Sequence, residues 1–448
     1  MVMASYPKLP GRCRKEKDKA PSFMAARRAH VQSKRDGKDR RERRSLCSCP
    51  AMKRDRLAIP LCGLAATVDG IDAQAMALAA PLVVRDWALP PLALGFVLGA
   101  APLGMVLGSL VIAPMSDRIG RKPVLVFSLL WLGLFSLLLA VAGSVPFMAA
   151  MRLLAGIGMG AAVATVMALT ADLSSPARRS VNVAIVFSGV PFGALLAAVI
   201  AVLLPDSVGW RGMFLLFGSL PVILAPIIAF GLPAERLRPA SLRGASTSLS
   251  MRRLFARGHG SATLSLWLGI ALAYQVTYFV VLWLPTLLAG AGLPLKTSMA
   301  TLIALNAGAI IGGLGLAALM RHASPRKVVT ATFAISSVAA VAAAVSTGAV
   351  APLLIALFFL GLLTLGGQMA LGGLVAALYP ADIRGAGVGG ATGAGRLGAV
   401  SGPLLGAQLV ALGYTAGLIM LVLAGLQLLV VICLWVGTAR PFDETHEQ

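Results

Sequence analysis

Two carboxylates, Asp69 and Asp72, stand one helical turn apart in "TVDGIDAQAM" (67–76), and they are the only charges between Leu57 and Val84. A spacing of i, i+3 puts both on one face of a helix. An ionised carboxylate at the centre of a bilayer costs about 2.5–3.5 kcal/mol on insertion scales, so two in one apolar run imply a task. Burial raises a carboxylate's pKa and a neighbouring arginine lowers it. A group that alternates between those surroundings takes up and releases a proton. Two arginines are similarly placed: Arg152 lies inside one apolar segment and Arg396 near the middle of another, in "GAGRLG". A guanidinium grips a carboxylate through a planar fork of donors. Each arginine therefore has two readings, a hold on a carboxylate substrate or a standing ion pair with an aspartate.

The rest of the chain explains why these groups are conspicuous. Of 448 residues 58% are hydrophobic and only 12% charged, and the mean hydropathy is +0.86. Soluble domains carry roughly 25% charge, so this is a polytopic membrane protein in contact with the lipid bilayer. The net charge of +22 is concentrated near the start, where residues 1–56 hold 18 of the 39 Lys and Arg against six acids. That segment has no apolar periodicity and reads as a disordered cytoplasmic tail, or as upstream sequence with Met24 and Met52 as alternative starts. No aromatic pattern accompanies its charge, so no nucleic-acid partner is expected. Cys47 and Cys49 have no second ligand pair, and no histidine falls inside an apolar segment. Neither a metal site, a cofactor nor a catalytic constellation is expected, and hence no enzyme.

A helix needs about 20 apolar residues to cross a bilayer. Twelve such runs occur, near 57–84, 92–115, 123–143, 145–169, 181–204, 212–232, 261–289, 297–320, 327–347, 350–378, 385–412 and 415–437. Basic residues cluster in alternate loops, which predicts both termini on the cytoplasmic side of the inner membrane. "RK" at 121–122 recurs at 326–327, and "SSPARR" ending at Arg179 is echoed by "YPADIR" ending at Arg384, each 205 residues later. The fold class predicted is an all-α membrane protein with two pseudo-symmetric six-helix halves. These are 57–232 and 261–437, joined by a linker at 233–260 and followed by a short tail at 438–448. A site between parallel halves is the architecture of many secondary transporters.

Several motifs resemble known ones. "APMSDRIGRK" (113–122) is similar to the signature loop between helices 2 and 3 of the major facilitator superfamily, with Ala113 in place of its first glycine. The matching "MRHASPRK" in the second half has Arg321 where an acid is expected, so gating ion pairs should be stronger in the first half. More narrowly, "DGID" (69–72), "RLLAGIGMG" (152–160), "VVLWLPTLL" (280–288), "NAGAIIGG" (306–313) and the stretch 378–406 resemble the aromatic acid:proton symporter family. Ile71 replaces that family's usual aromatic residue.

The resemblance assigns proton coupling to Asp69 and Asp72. Read from their types and places, Arg152 and Arg396 would serve the substrate anion, and Tyr274, Tyr278, Phe187, Phe192 and Gln368 would either line an aromatic-binding cavity or pack against apolar neighbours and lipid. Asp117, Arg118, Gly120, Arg121, Asp172 and Arg384 would gate, although the family usually has Glu where Asp172 stands. The expected partners are an aromatic acid such as a hydroxybenzoate, and protons, moved by a monomer through alternating access. A proton-driven exporter of drugs or aromatics is the alternative, but "SGVPFGA" (188–194) does not look like the usual antiporter signature; a membrane-embedded enzyme or receptor is a remoter one, which would need a catalytic constellation or a sizeable soluble domain. Glycines 156, 158, 160, 387, 389, 393 and 395 follow no strand, so they are expected to serve close helix packing rather than phosphate binding.

Overall fold

The computed structural model describes residues 50–175, 178–204, 206–232, 254–255, 260–380 and 383–438. Most of the basic tail, nearly all of the 233–260 linker and the last ten residues lie outside the described residues.

Twelve long helical segments occur where the apolar runs predicted them, and no strand occurs among the described residues. They are α1 (Pro50–Trp87), α2 (Pro91–Val111), α3 (Arg121–Leu138), α4 (Val145–Leu173), α5 (Arg179–Phe187 and Gly189–Leu203, bent at Ser188) and α6 (Gly209–Gly231). The second six are α7 (Gly260–Gly290), α8 (Leu295–Leu319), α9 (Pro325–Val345), α10 (Val350–Leu360 and Gly366–Leu378, joined by a π turn), α11 (Arg384–Ala411) and α12 (Ala416–Thr438). α1 begins seven residues before the sequence expectation, inside the segment read as tail. The "SDRIGRK" connection is also shorter than expected. A single-turn helix, Ser116–Ile119, abuts α3, and the chain turns at Gly120, whose φ of +105° suits a residue without a Cβ.

α11 departs most from a uniform apolar run because of its glycines. Their role is contact. Gly398, Gly402 and Gly406 recur every fourth residue and lie against Ala271, Gln275 and Trp283 of α7. Small residues at that spacing let two backbones approach closely.

The halves meet through α2 with α11 and through α5 with α8. One apolar core joins both halves, and it extends from the middle of the spans toward the end opposite the termini. It runs through Met76 of α1, Leu98 of α2, Phe214 of α6, Trp283 of α7, Leu302 of α8 and Leu423 of α12. At the terminus-bearing end the cores are separate. One holds Leu125, Leu169 and Ile228 of the first half, and the other holds Leu266, Phe333 and Leu434 of the second. The seam is therefore packed at one end of the molecule, and each half closes on itself at the other.

Candidate functional site

α1 brings both aspartates to mid-span, where Asp69 is 2% exposed and Asp72 fully buried. Although one turn apart, they have different surroundings. Ser136 of α3 donates a hydrogen bond to Asp72 Oδ1 at 2.5 Å. Arg152 Nη1 of α4 donates to Asp72 Oδ2 at 3.4 Å. This triad closes within the first half, with Arg152 itself 2% exposed. Asp69 Oδ1 has no hydrogen-bond partner among the described residues. The cation that acts on Asp69 belongs to the other half: Arg396 of α11 interacts electrostatically with it and with Tyr278.

Arg396 is half-buried, whereas Arg152 is buried. Two turns toward the terminus-bearing end, Gly389 stands on the same face of α11, and Gly393 lies one turn away. Both front open space, with nothing within 4 Å of where a side chain would begin. The packing expectation fails for these two glycines. It holds for Gly156 and Gly160, which abut Ala101 and Met105 of α2, and for Gly395, which abuts Tyr274. Both glycines are exposed, so this face of α11 below Arg396 carries no side chain at these two positions.

Tyr274 and Tyr278 occupy successive turns of α7, with rings stacked at 6.5 Å between centroids and 13° between planes. Tyr278 also interacts electrostatically with Arg396 and Asp69. Gln368 sits half-buried on α10, three residues beyond the π turn. π turns occur disproportionately at functional sites.

At the terminus-bearing end, Arg121 Nη2 lies 3.0 Å from Asp172 Oδ2 and 3.7 Å from Asp117 Oδ1, drawing together the start of α3, the end of α4 and the turn after α2. Lys122 Nζ donates to the carbonyl of Leu232 at 2.7 Å. Arg118 is exposed. Arg384 opens α11, and its side chain lies outside the described residues. In the second half Arg326, the counterpart of Arg121 in the repeat, rests over the Trp435 ring at 4.5 Å. A cation–π contact stands there where the first half has carboxylates.

The Major Facilitator Superfamily model matches residues 62–366. The chain belongs to that superfamily. This facilitator is 37% identical over 360 residues to the 3-(3-hydroxy-phenyl)propionate transporter of Escherichia coli, covering 80% of this chain and 87% of the relative. It is 30% identical to the 4-hydroxybenzoate transporter PcaK of Pseudomonas aeruginosa, covering 79% and 86%. The gentisate transporter of Corynebacterium glutamicum is 31% identical, with 88% and 90% covered. Its fold matches that of a mutant of the nucleoside transporter NupG with a TM-score of 0.70 at 13% identity, over 85% of this chain and 99% of that one.

Two residues of the facilitator's interior were not singled out by sequence reasoning. Ser136 is one of few polar residues in α3, a signal that was available but did not indicate its partner. Gln74 follows the aspartates on α1 and is 1% exposed, yet read alone it is one more neutral residue in an apolar run.

Proposed function

We propose that this chain imports aromatic carboxylates of the hydroxybenzoate kind together with protons. The observation that carries the reading is the surroundings of Asp69, with a buried carboxylate oxygen unpartnered among the described residues, a half-buried arginine from the opposite half and two stacked tyrosines. Relatives named for hydroxyphenylpropionate, 4-hydroxybenzoate and gentisate share the matching chemistry, a carboxylate attached to or near a hydroxylated ring.

In the empty carrier Asp69 and Arg396 offset each other. An arriving carboxylate takes up the guanidinium through its bidentate fork, and the tyrosine rings pack against the aromatic body. Asp69 then holds a buried negative charge without its counterion, a state relieved by binding a proton. Anion and proton therefore load together. The Asp72–Arg152–Ser136 triad stays closed and holds α1, α3 and α4 as a rigid frame for Asp69.

Alternating access rocks the two halves about this site. With the termini in the cytoplasm, the packed end of the seam is the outer gate, and the face of α11 bearing Gly389 and Gly393 lies on the cytoplasmic side of the site. The Arg121–Asp172–Asp117 cluster belongs to the inner gate, and the carrier works as a monomer. Uptake of a panel of labelled aromatic acids into cells expressing the protein, with and without a protonophore, tests the reading. Accumulation of at least one hydroxybenzoate that collapses with the protonophore is expected. Accumulation of none of them refutes it.

A further inference from the structure

Pro285 lies inside α7 and has no N–H, so the carbonyl of Val281, four residues earlier, lacks its helical donor. Gln74 of α1 supplies one, with its Nε2 donating to the Val281 oxygen at 3.5 Å. This bond crosses from the first half to the second. It sits inside the apolar core that seals the outer end of the seam, between Ala75 and Met76 on one side and Val280 and Leu282 on the other. Asp69 and Asp72 precede Gln74 on the same helix, and Tyr274 and Tyr278 precede Val281 on theirs.

We propose that Gln74 is a positioning residue that latches the outer gate by answering the carbonyl that Pro285 orphans. When the outer seam opens, water reaches both groups and neither needs the other. When it closes, the carbonyl becomes partly buried, and without a donor it would carry a desolvation penalty. Gln74 is placed to remove that penalty. The bond therefore favours closure specifically, and it ties the helix bearing Asp69 to the helix bearing the tyrosines. Lys296 and Asp206 also bridge the halves at the rim, at 3.4 Å, but their side chains are 50% and 85% exposed. Water and salt screen such a pair more than they screen the partly buried Gln74–Val281 bond.

The inference rests on the alternating-access reading but not on the identity of the substrate, and its test uses none. Leu404 of α11 faces Gly99 of α2 across the closed seam. In a background freed of natural cysteines, Leu404→Cys is labelled from outside by a membrane-impermeant maleimide in right-side-out vesicles. Gln74→Met keeps the bulk and removes the donor. It should raise the labelling rate about three- to tenfold, the range expected for losing one net hydrogen bond. The deciding comparison uses Pro285→Ala, which returns an N–H to the helix. In that background Gln74→Met should change labelling by less than about twofold. Gln74→Leu serves as a second donor-free variant should the first reach the membrane poorly. Unchanged labelling on removing the donor overturns the latch, as does an equal change with and without Pro285. A separate finding that no aromatic acid is transported would leave the labelling result standing.

Discussion

The guanidinium of Arg152 and the carboxylate of Asp72 lie 3.4 Å apart, with neither side chain exposed beyond 2%. Asp72 is no deeper in kind than Asp69, and what sets it apart is that its carboxylate is already held by Ser136 and Arg152, both from the first half. Breaking such a pair from one side strands a charge and costs about 3–5 kcal/mol. Arg152→Ala should therefore lower the thermal stability of the detergent-purified protein sharply, and Asp72→Asn in the same chain should restore much of it. Equal stability of the single and double variants would show that the charges are not coupled.

Asp69 should behave differently. Asp69→Asn is expected to abolish uphill accumulation while retaining some downhill exchange of substrate. Loss of exchange and accumulation together, in protein that reaches the membrane normally, would assign Asp69 to substrate binding instead of coupling.

The deep charges Asp69, Asp72, Arg152 and Arg396 sum to zero when all are ionised, and one anion with one proton preserves that sum. A 1:1 cycle is then electroneutral, and its uptake rises as the outside is acidified. Moving one net charge would couple the cycle to the potential by about 2.3 kcal/mol per 100 mV. Proteoliposomes with the pH gradient and the potential imposed separately distinguish these cases. Accumulation driven by an inside-negative potential at equal pH points to two or more protons per anion.

Arg396→Lys keeps the charge but loses the planar fork. It should weaken apparent affinity for the acid about tenfold or more, and the amide of a good substrate should compete poorly with wild type. An amide that competes as well as its acid removes the carboxylate clamp from the mechanism.

Deleting residues 1–49 should leave transport within about threefold of the full chain, because the charge there lacks the patterning of a folded partner surface. Uptake lost at normal membrane levels would make the tail part of the machinery.

Chain length and apolar patterning by themselves located the twelve long helices, of which eleven among the described residues are long and apolar enough to cross a bilayer. They also determined that Asp69, Asp72, Arg152 and Arg396 needed explanation, because deep charges are expensive. The 205-residue repeat made the two halves legible. Only the tertiary structure separated the aspartates. On one helix face they look equivalent, and what distinguishes them is Ser136, 64 positions away, and Arg152, 80 positions away, both against Asp72. Helix packing chooses those partners, and no local rule encodes which turn of α3 or α4 meets which turn of α1. The glycines of α11 show the same division. Their composition signalled close approach, but Gly398 abuts Ala271 while Gly389 fronts open space. Which face of a helix meets a neighbour is set by the crossing of two helices. Gln74 is the sharpest case. The orphaned carbonyl follows from Pro285 in the sequence alone, whereas the side chain that answers it comes from the other half of the molecule.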